Sequence, residues 1–192
     1  MEEMRPLTLI VAVVAVAAGL IAVWPRSAHH PPSACGPVDV EPSADNLGSV
    51  AAATLCLINE ERTRHGLTPL SESVQLTTAA RAHSEDMVRR GYFEHATPDG
   101  VTVQDRIRAT GWGSGTQSST GENIEWALRA KATPAAVVAK WMASPPHRAD
   151  ILRPAYRQVG VGIALGAPAV AGQGATYTTD FGGVFDPSLT SG

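Results

Sequence analysis

The chain has 192 residues, 44% of them hydrophobic and 17% charged, which is enough for one buried core and too few for two ordinary domains. A net charge of −3 with no Lys/Arg cluster argues against nucleic acid as a partner, because phosphate binding needs a concentrated basic face.

In chain order, residues 1–6 are a short flank with two glutamates and one arginine, and residues 7–24 hold an apolar segment. Its run "LTLIVAVVAVAAGLIAV", residues 7–23, is near the lower limit for spanning a hydrocarbon core. A cleaved secretory signal wants a basic start and a small-x-small exit. "MEEMRP" and "VWPRSAHH", with Arg26 two residues before Ala28, fit that poorly, so a single N-terminal anchor is favoured over a cleaved signal. Either reading sends the rest of the chain across the membrane, secreted or anchored. Residues 25–46 carry Pro25, Pro31, Pro32, Pro37 and Pro42 among small and polar residues and read as a linker. The only cysteines are Cys35 in that linker and Cys56 in the first helical segment; an exported protein is expected to pair them, which pins the linker to the domain.

The globular domain is expected over residues 47–192. From Val50, Ala53, Thr54, Leu57 and Ile58 recur at helical spacing, with Asn59, Glu60, Arg62 and Arg64 on the wet side and Gly66 as the stop. Ser71 or Ser73 caps a second helix whose Leu76, Ala79, Ala80, His83 and Met87 share an inward or edge-facing stripe up to Gly91. His83 there reads as a hydrogen-bonded packing residue. "YFEHATPDG" is a turn-rich loop with His95 at its mouth. Thr102 with Asp105 caps a short third helix through Ile107, and "GWGSGTQSSTG" reads as a surface loop feeding "ENIEWA". Thr133-Pro134 starts a helix with Val137, Val138, Trp141 and Met142 inward. "RQVGVGIALG" and "ATYTTDFGGVF" alternate as strands, and helices first with strands last predict an α+β domain.

In "SPPHRADIL", Ser144 reads as an N-cap and Pro145 as the first helical residue, which puts His147 in the first turn, where backbone N–H groups disfavour a ring proton. A neutral His147 suits an acceptor or a metal ligand. His95 and Glu122 of "TGENI" are its candidate companions. The three are 27 and 25 positions apart, so no local zinc motif exists and any site is built by the fold. Two imidazoles and a carboxylate suit a divalent metal such as zinc with an open position, and equally a general acid/base pair.

The ordered blocks "LINEERTRHGLTPL", "YFEHATPDG", "TGENI", "SPPHRADIL" and "YRQVGVGIA" resemble the bacterial SCP-domain branch of the CAP superfamily, named for cysteine-rich secretory, antigen 5 and pathogenesis-related 1 proteins, over residues 55–185. The resemblance implies an α-β-α sandwich with a small central, mainly antiparallel sheet, and an extracellular setting. It also implies a cleft carrying two histidines and two glutamates that can hold a divalent metal. Carried over, these are His95, Glu122 and His147; the second glutamate is missing, since the residue three after Trp141 is Ser144. The family is associated with sterol and lipid binding, signalling and claimed proteolysis. The expectation is a non-enzymatic, extracytoplasmic binding domain with a His/Glu cleft for a small molecule, lipid or metal. The alternative is a metal-assisted hydrolase of cell-wall or peptide substrates, with Glu122 as base and His95 and His147 beside it.

Overall fold

The computed structural model describes residues 34–185. Its elements are α1 (Leu47–Arg64), β1 (Ser71–Glu72), α2 (Val74–Arg90), α3 (Val103–Ala109), β2 (Gln117–Leu128), a 3-10 turn (Arg129–Ala132), α4 (Pro134–Ala143), α5 (Pro145–Ile151), β3 (Gln158–Ala167) and β4 (Val170–Phe185). The apolar run at residues 7–23 lies outside the described residues; among those described, no helix is long and apolar enough to cross a membrane.

Local chemistry sets the helix boundaries. Ser73 Oγ accepts from the Leu76 N–H at the start of α2, and Gly91, at φ 68°, closes that helix in the left-handed region. Thr102 and Asp105 form a reciprocal capping box on α3, and Thr133 caps α4 ahead of Pro134. Ser144 occupies the N-cap position of α5, but its side chain makes no capping hydrogen bond, so Pro145 and Pro146 start that helix without it.

The sheet order is β1-β3-β4-β2, with β3–β4 and β4–β2 antiparallel and the short β1 parallel to β3. Helices cover both faces, giving the expected α+β sandwich. On one face Val159, Val161, Ile163, Tyr177 and Phe181 meet Val50, Ile58, Val137, Trp141 and Ile151 from α1, α4 and α5. On the other, α2 lies directly on the backbone of β3. A Cβ at Gly160 or Gly162 would sit 2.0 Å from the amide nitrogen of Thr77 or Arg81, so only glycine permits that approach. Ser84 on α2 donates to Gly162 O at 3.1 Å and lies 2.8 Å from the Thr178 hydroxyl, which ties the helix to the sheet.

Cys35 and Cys56 are joined in a disulfide, and Val38 O accepts from the Ala135 N–H at 2.9 Å. Residues 35–38 are therefore fastened to the domain at two points.

Two expectations about individual segments are corrected. Arg62 is not on the wet side of α1 but fully buried, donating to the carbonyls of Thr68, Ile151, Arg153 and Tyr156. Four carbonyl acceptors, three of them at or after the end of α5, make the buried guanidinium tolerable. The segment read as a surface loop before "ENIEWA" is already strand from Gln117, paired with the far end of β4. Trp112, in the same segment, is buried: its ring lies over Gly182, where an added Cβ would sit 2.2 Å from it, and its Nε1 donates to Gln158 at 2.8 Å.

Candidate functional site

β2 is an edge strand, and its alternation divides the candidate residues between the two layers. Glu122 pairs with Asp180 across the β2–β4 ladder and points into the α2–α3 layer. Asn123 and Glu125 point the other way, toward α4 and α5: Asn123 Nδ2 donates to His147 O at 3.0 Å, and Lys140 Nζ donates to Glu125 Oε1 at 2.7 Å.

On the α2–α3 side, the Glu122 side chain is 1% exposed and both its oxygens are engaged. His95 Nδ1 donates to Oε1 at 2.7 Å, and Arg106 Nη2 donates to Oε2 at 2.5 Å. A second Arg106 nitrogen donates to His95 O at 2.9 Å, so one guanidinium holds both the carboxylate and the loop that carries the histidine. His83, fully buried on α2, donates Nε2 to Glu94 O at 3.1 Å and lies 3.8 Å from Glu122 Oε2. Asp180 is buried opposite Glu122, and neither of its oxygens has a hydrogen bond of ordinary geometry among the described residues.

The electrostatics follow from this arrangement. The hydrogen bond to Glu122 raises the His95 pKa above its ordinary value, against the opposing effect of burial. Burial lowers that of His83, although Glu122 pulls it up. Burial first, and then the neighbouring Glu122 charge, push the Asp180 carboxyl well above the usual range, with Arg106 opposing. His147 is lowered, as its helical position suggested, but the main cause is burial; Glu125 opposes it and His95 adds to it. Asp150, one turn after His147, is raised by burial and acts on both His95 and His147.

His95 and His147 meet across a cleft of about 490 Å³ at the β2 edge, lined also by Phe93, Ile124, Glu125, Trp126 and Lys140. Larger hollows exist, including one of about 620 Å³ between α1 and α2 lined by Leu47, Ala51, Leu55 and Ile163. That one holds no imidazole, so chemistry rather than size singles out the cleft.

Of the three expected site residues, the structure joins His95 to Glu122 and places His147 on the opposite wall. Among the described residues, the one group of three ligand-type side chains with ligand atoms all within 4.8 Å of one another is Cys35, Cys56 and Glu60, and those two sulfurs are tied up in the disulfide. A divalent ion therefore does not fit His95, Glu122 and His147 as a common ligand set in this arrangement: the carboxylate already serves a guanidinium and an imidazole. Arg106, Asp180, Glu125, Lys140 and Asp150 escaped the sequence reading. The clearest signals for them were an aspartate inside a buried strand, "TTDFGG", and an aspartate at helical spacing from His147.

The protein-family model described as the cysteine-rich secretory protein family, CAP, matches residues 55–178. Among curated relatives, the chain is 39% identical over 106 residues to the uncharacterised Bacillus subtilis protein YkwD, covering 55% of this chain and 39% of that one. It is 35% identical over 109 residues to the uncharacterised B. subtilis membrane protein YlbC, covering 57% of this chain and 30% of that one. The match thus spans well under two thirds of either relative. Among solved structures, an extracellular SCP-domain protein of Bacillus anthracis aligns with TM-score 0.55 at 28% identity, over 74% of this chain and 44% of that one. An outer surface protein of Borrelia burgdorferi aligns with TM-score 0.56 at 18% identity, over 68% and 90%, a likeness of fold alone.

Proposed function

Because the chain belongs to the cysteine-rich secretory protein (CAP) family, in its bacterial SCP-domain form, we propose that it is a non-enzymatic, extracytoplasmic binding domain whose β2-edge cleft takes a small organic ligand. The observation that carries the reading is the cleft itself: three apolar or aromatic side chains, Phe93, Ile124 and Trp126, beside five polar ones, Glu94, His95, Glu125, Lys140 and His147. Apolar surface supplies affinity and placed polar groups fix orientation, and this polar share suits a ligand that carries hydrogen-bonding groups of its own. The disulfide supports an oxidising compartment, and the B. anthracis protein named as extracellular supports the same location. The chain is secreted or held at the membrane by residues 7–23. Binding is favoured over hydrolysis because Glu122, the candidate base, has both oxygens occupied.

Trp126 makes the cleft its own reporter. Titrating the full chain with a soluble muropeptide and, separately, with a medium-chain fatty acid should give saturable quenching of tryptophan emission with one of them. The quenching should weaken at least about tenfold in His147→Ala and disappear in Trp126→Phe. Quenching that is unsaturable, or unchanged in both variants, would place any ligand elsewhere. Turnover of the muropeptide by the wild type, lost in Glu122→Gln, would overturn the non-enzymatic reading.

A further inference from the structure

We propose that Arg106 is a built-in cation for the Glu122 carboxylate, standing where a divalent ion would bind, so that the Glu122 site takes up no metal in the intact protein. The inference goes beyond the binding reading and is tested apart from it, since it concerns Glu122 rather than the cleft walls.

Three observations carry it. First, the geometry is closed. Arg106, with a side chain 9% exposed, meets one oxygen of Glu122 at 2.5 Å while His95 meets the other at 2.7 Å. A zinc ion at the usual distance of about 2.0–2.2 Å, placed on the side of either oxygen that faces these donors, would be forced against their N–H groups.

Second, Arg106 has no alternative home. Its Nε is buried without a partner, and one Nη already serves the carbonyls of His95 and Val101 at 2.9 and 3.3 Å. Swinging out to admit a metal would break the support of the loop that carries His95.

Third, the buried carboxylate is matched to a fixed cation. Asp180 lies buried opposite Glu122 on the sheet without touching Arg106, and the Glu122 charge helps push its carboxyl up, so the guanidinium answers the one carboxylate it meets. Where the guanidinium is removed, Glu122 Oε2 is freed with His83 Nε2 3.8 Å away, and His95 stays on Oε1 at 2.7 Å. Carboxylate oxygen and imidazole nitrogen are donor types that zinc takes, and gathering them on one ion requires these side chains to move together.

The test is zinc alone, titrated calorimetrically into the full chain as wild type, Glu122→Gln, Arg106→Gln and Arg106→Gln/His95→Ala. The double variant separates this site from other histidines such as His29 and His30. Wild type and Glu122→Gln should give indistinguishable isotherms. Arg106→Gln should add a saturable event, at least about tenfold tighter than anything Glu122-dependent in the wild type, and the double variant should lose it. A wild-type binding event that Glu122→Gln removes would overturn the proposal, as would a folded Arg106→Gln protein that gains no event. Should Arg106→Gln fail to fold, the comparison of wild type with Glu122→Gln still decides between the two.

Discussion

Both oxygens of Glu122 are satisfied inside the protein, and this sets what the surrounding residues can do. Removing one partner of a buried ion pair leaves an uncompensated charge and costs about 3–5 kcal/mol, whereas an exposed pair is worth about 0–1 kcal/mol. Arg106→Met should therefore lower the unfolding free energy by about 3 kcal/mol, and Arg64→Met, which breaks the exposed pairs to Glu60 and Glu61, by less than about 1 kcal/mol. Urea unfolding of the two variants checks the contrast. The histidines give opposite pH signatures. His95, with a raised pKa, contributes stability that is fully present below 6.5 and lost as pH rises through its folded value. His147, with a lowered pKa, contributes stability present above 6.5 and lost as pH falls through its folded value. The stability advantage of wild type over His95→Ala should thus be larger at about pH 5.5 than at about pH 8, and its advantage over His147→Ala smaller. Equal advantages at the two pH values would refute the assigned shifts. His95, Glu122 and His147 were legible as candidates because their motifs are local. Arg106 was not, because its role depends on packing a short helix against an edge strand that lies distant in sequence.

At the level of elements, helix ends were readable because capping is a matter of residues within one turn: Ser73, the Thr102–Asp105 box, and Thr133 before Pro134 all act as their spacing suggested. The start of β2 was not. Gln117 to Gly121 look like loop from composition, yet they are strand because β4 supplies the backbone partners, Phe185 through Phe181. Arg62 shows the complementary failure. Its charge points to the wet side, although it stands four residues after the buried Ile58; the carbonyls of Ile151, Arg153 and Tyr156 that receive it are some ninety residues downstream. "VGVG" read correctly as strand, but its glycines make sense only once α2 is placed on them. Gly160→Ala or Gly162→Ala should force α2 off the sheet and cost at least about 3 kcal/mol, in the range of severe overpacking. Alanine at Gly115, where nothing lies within 4 Å of the added Cβ, meets only the strain of its φ of 76° and should cost about 1 kcal/mol. Thermal or urea unfolding of the three variants would expose the difference, and equal losses would contradict the packing.

For the molecule as a whole, the single disulfide closes a 21-residue separation and fastens the chain ahead of α1 to the domain. On the chain-entropy account such a loop is worth about 3 kcal/mol, so reduction, or Cys35→Ser/Cys56→Ser, should lower stability by about that much while leaving the cleft intact. Unfolding curves with and without reductant, read beside ligand quenching of Trp126, check both halves of that statement. The fold class was legible in the sequence because helices and strands are segregated along the chain. The cleft was legible only in part, because β2 turns Glu122 to one layer and Glu125 to the other, and no local pattern reveals which side of the sheet a distant histidine will reach. Two independently held walls are the core of the account: His95 fixed through Glu122 and Arg106, and His147 carried on α5. The most direct measurement is an NMR pH titration of the histidine rings in wild type and Glu122→Gln. The account predicts that His95 titrates above 6.5 in the wild type and falls in the variant, while His147 stays below 6.5 in both. An unshifted His95, or two rings that move together when Glu122 is changed, would contradict it.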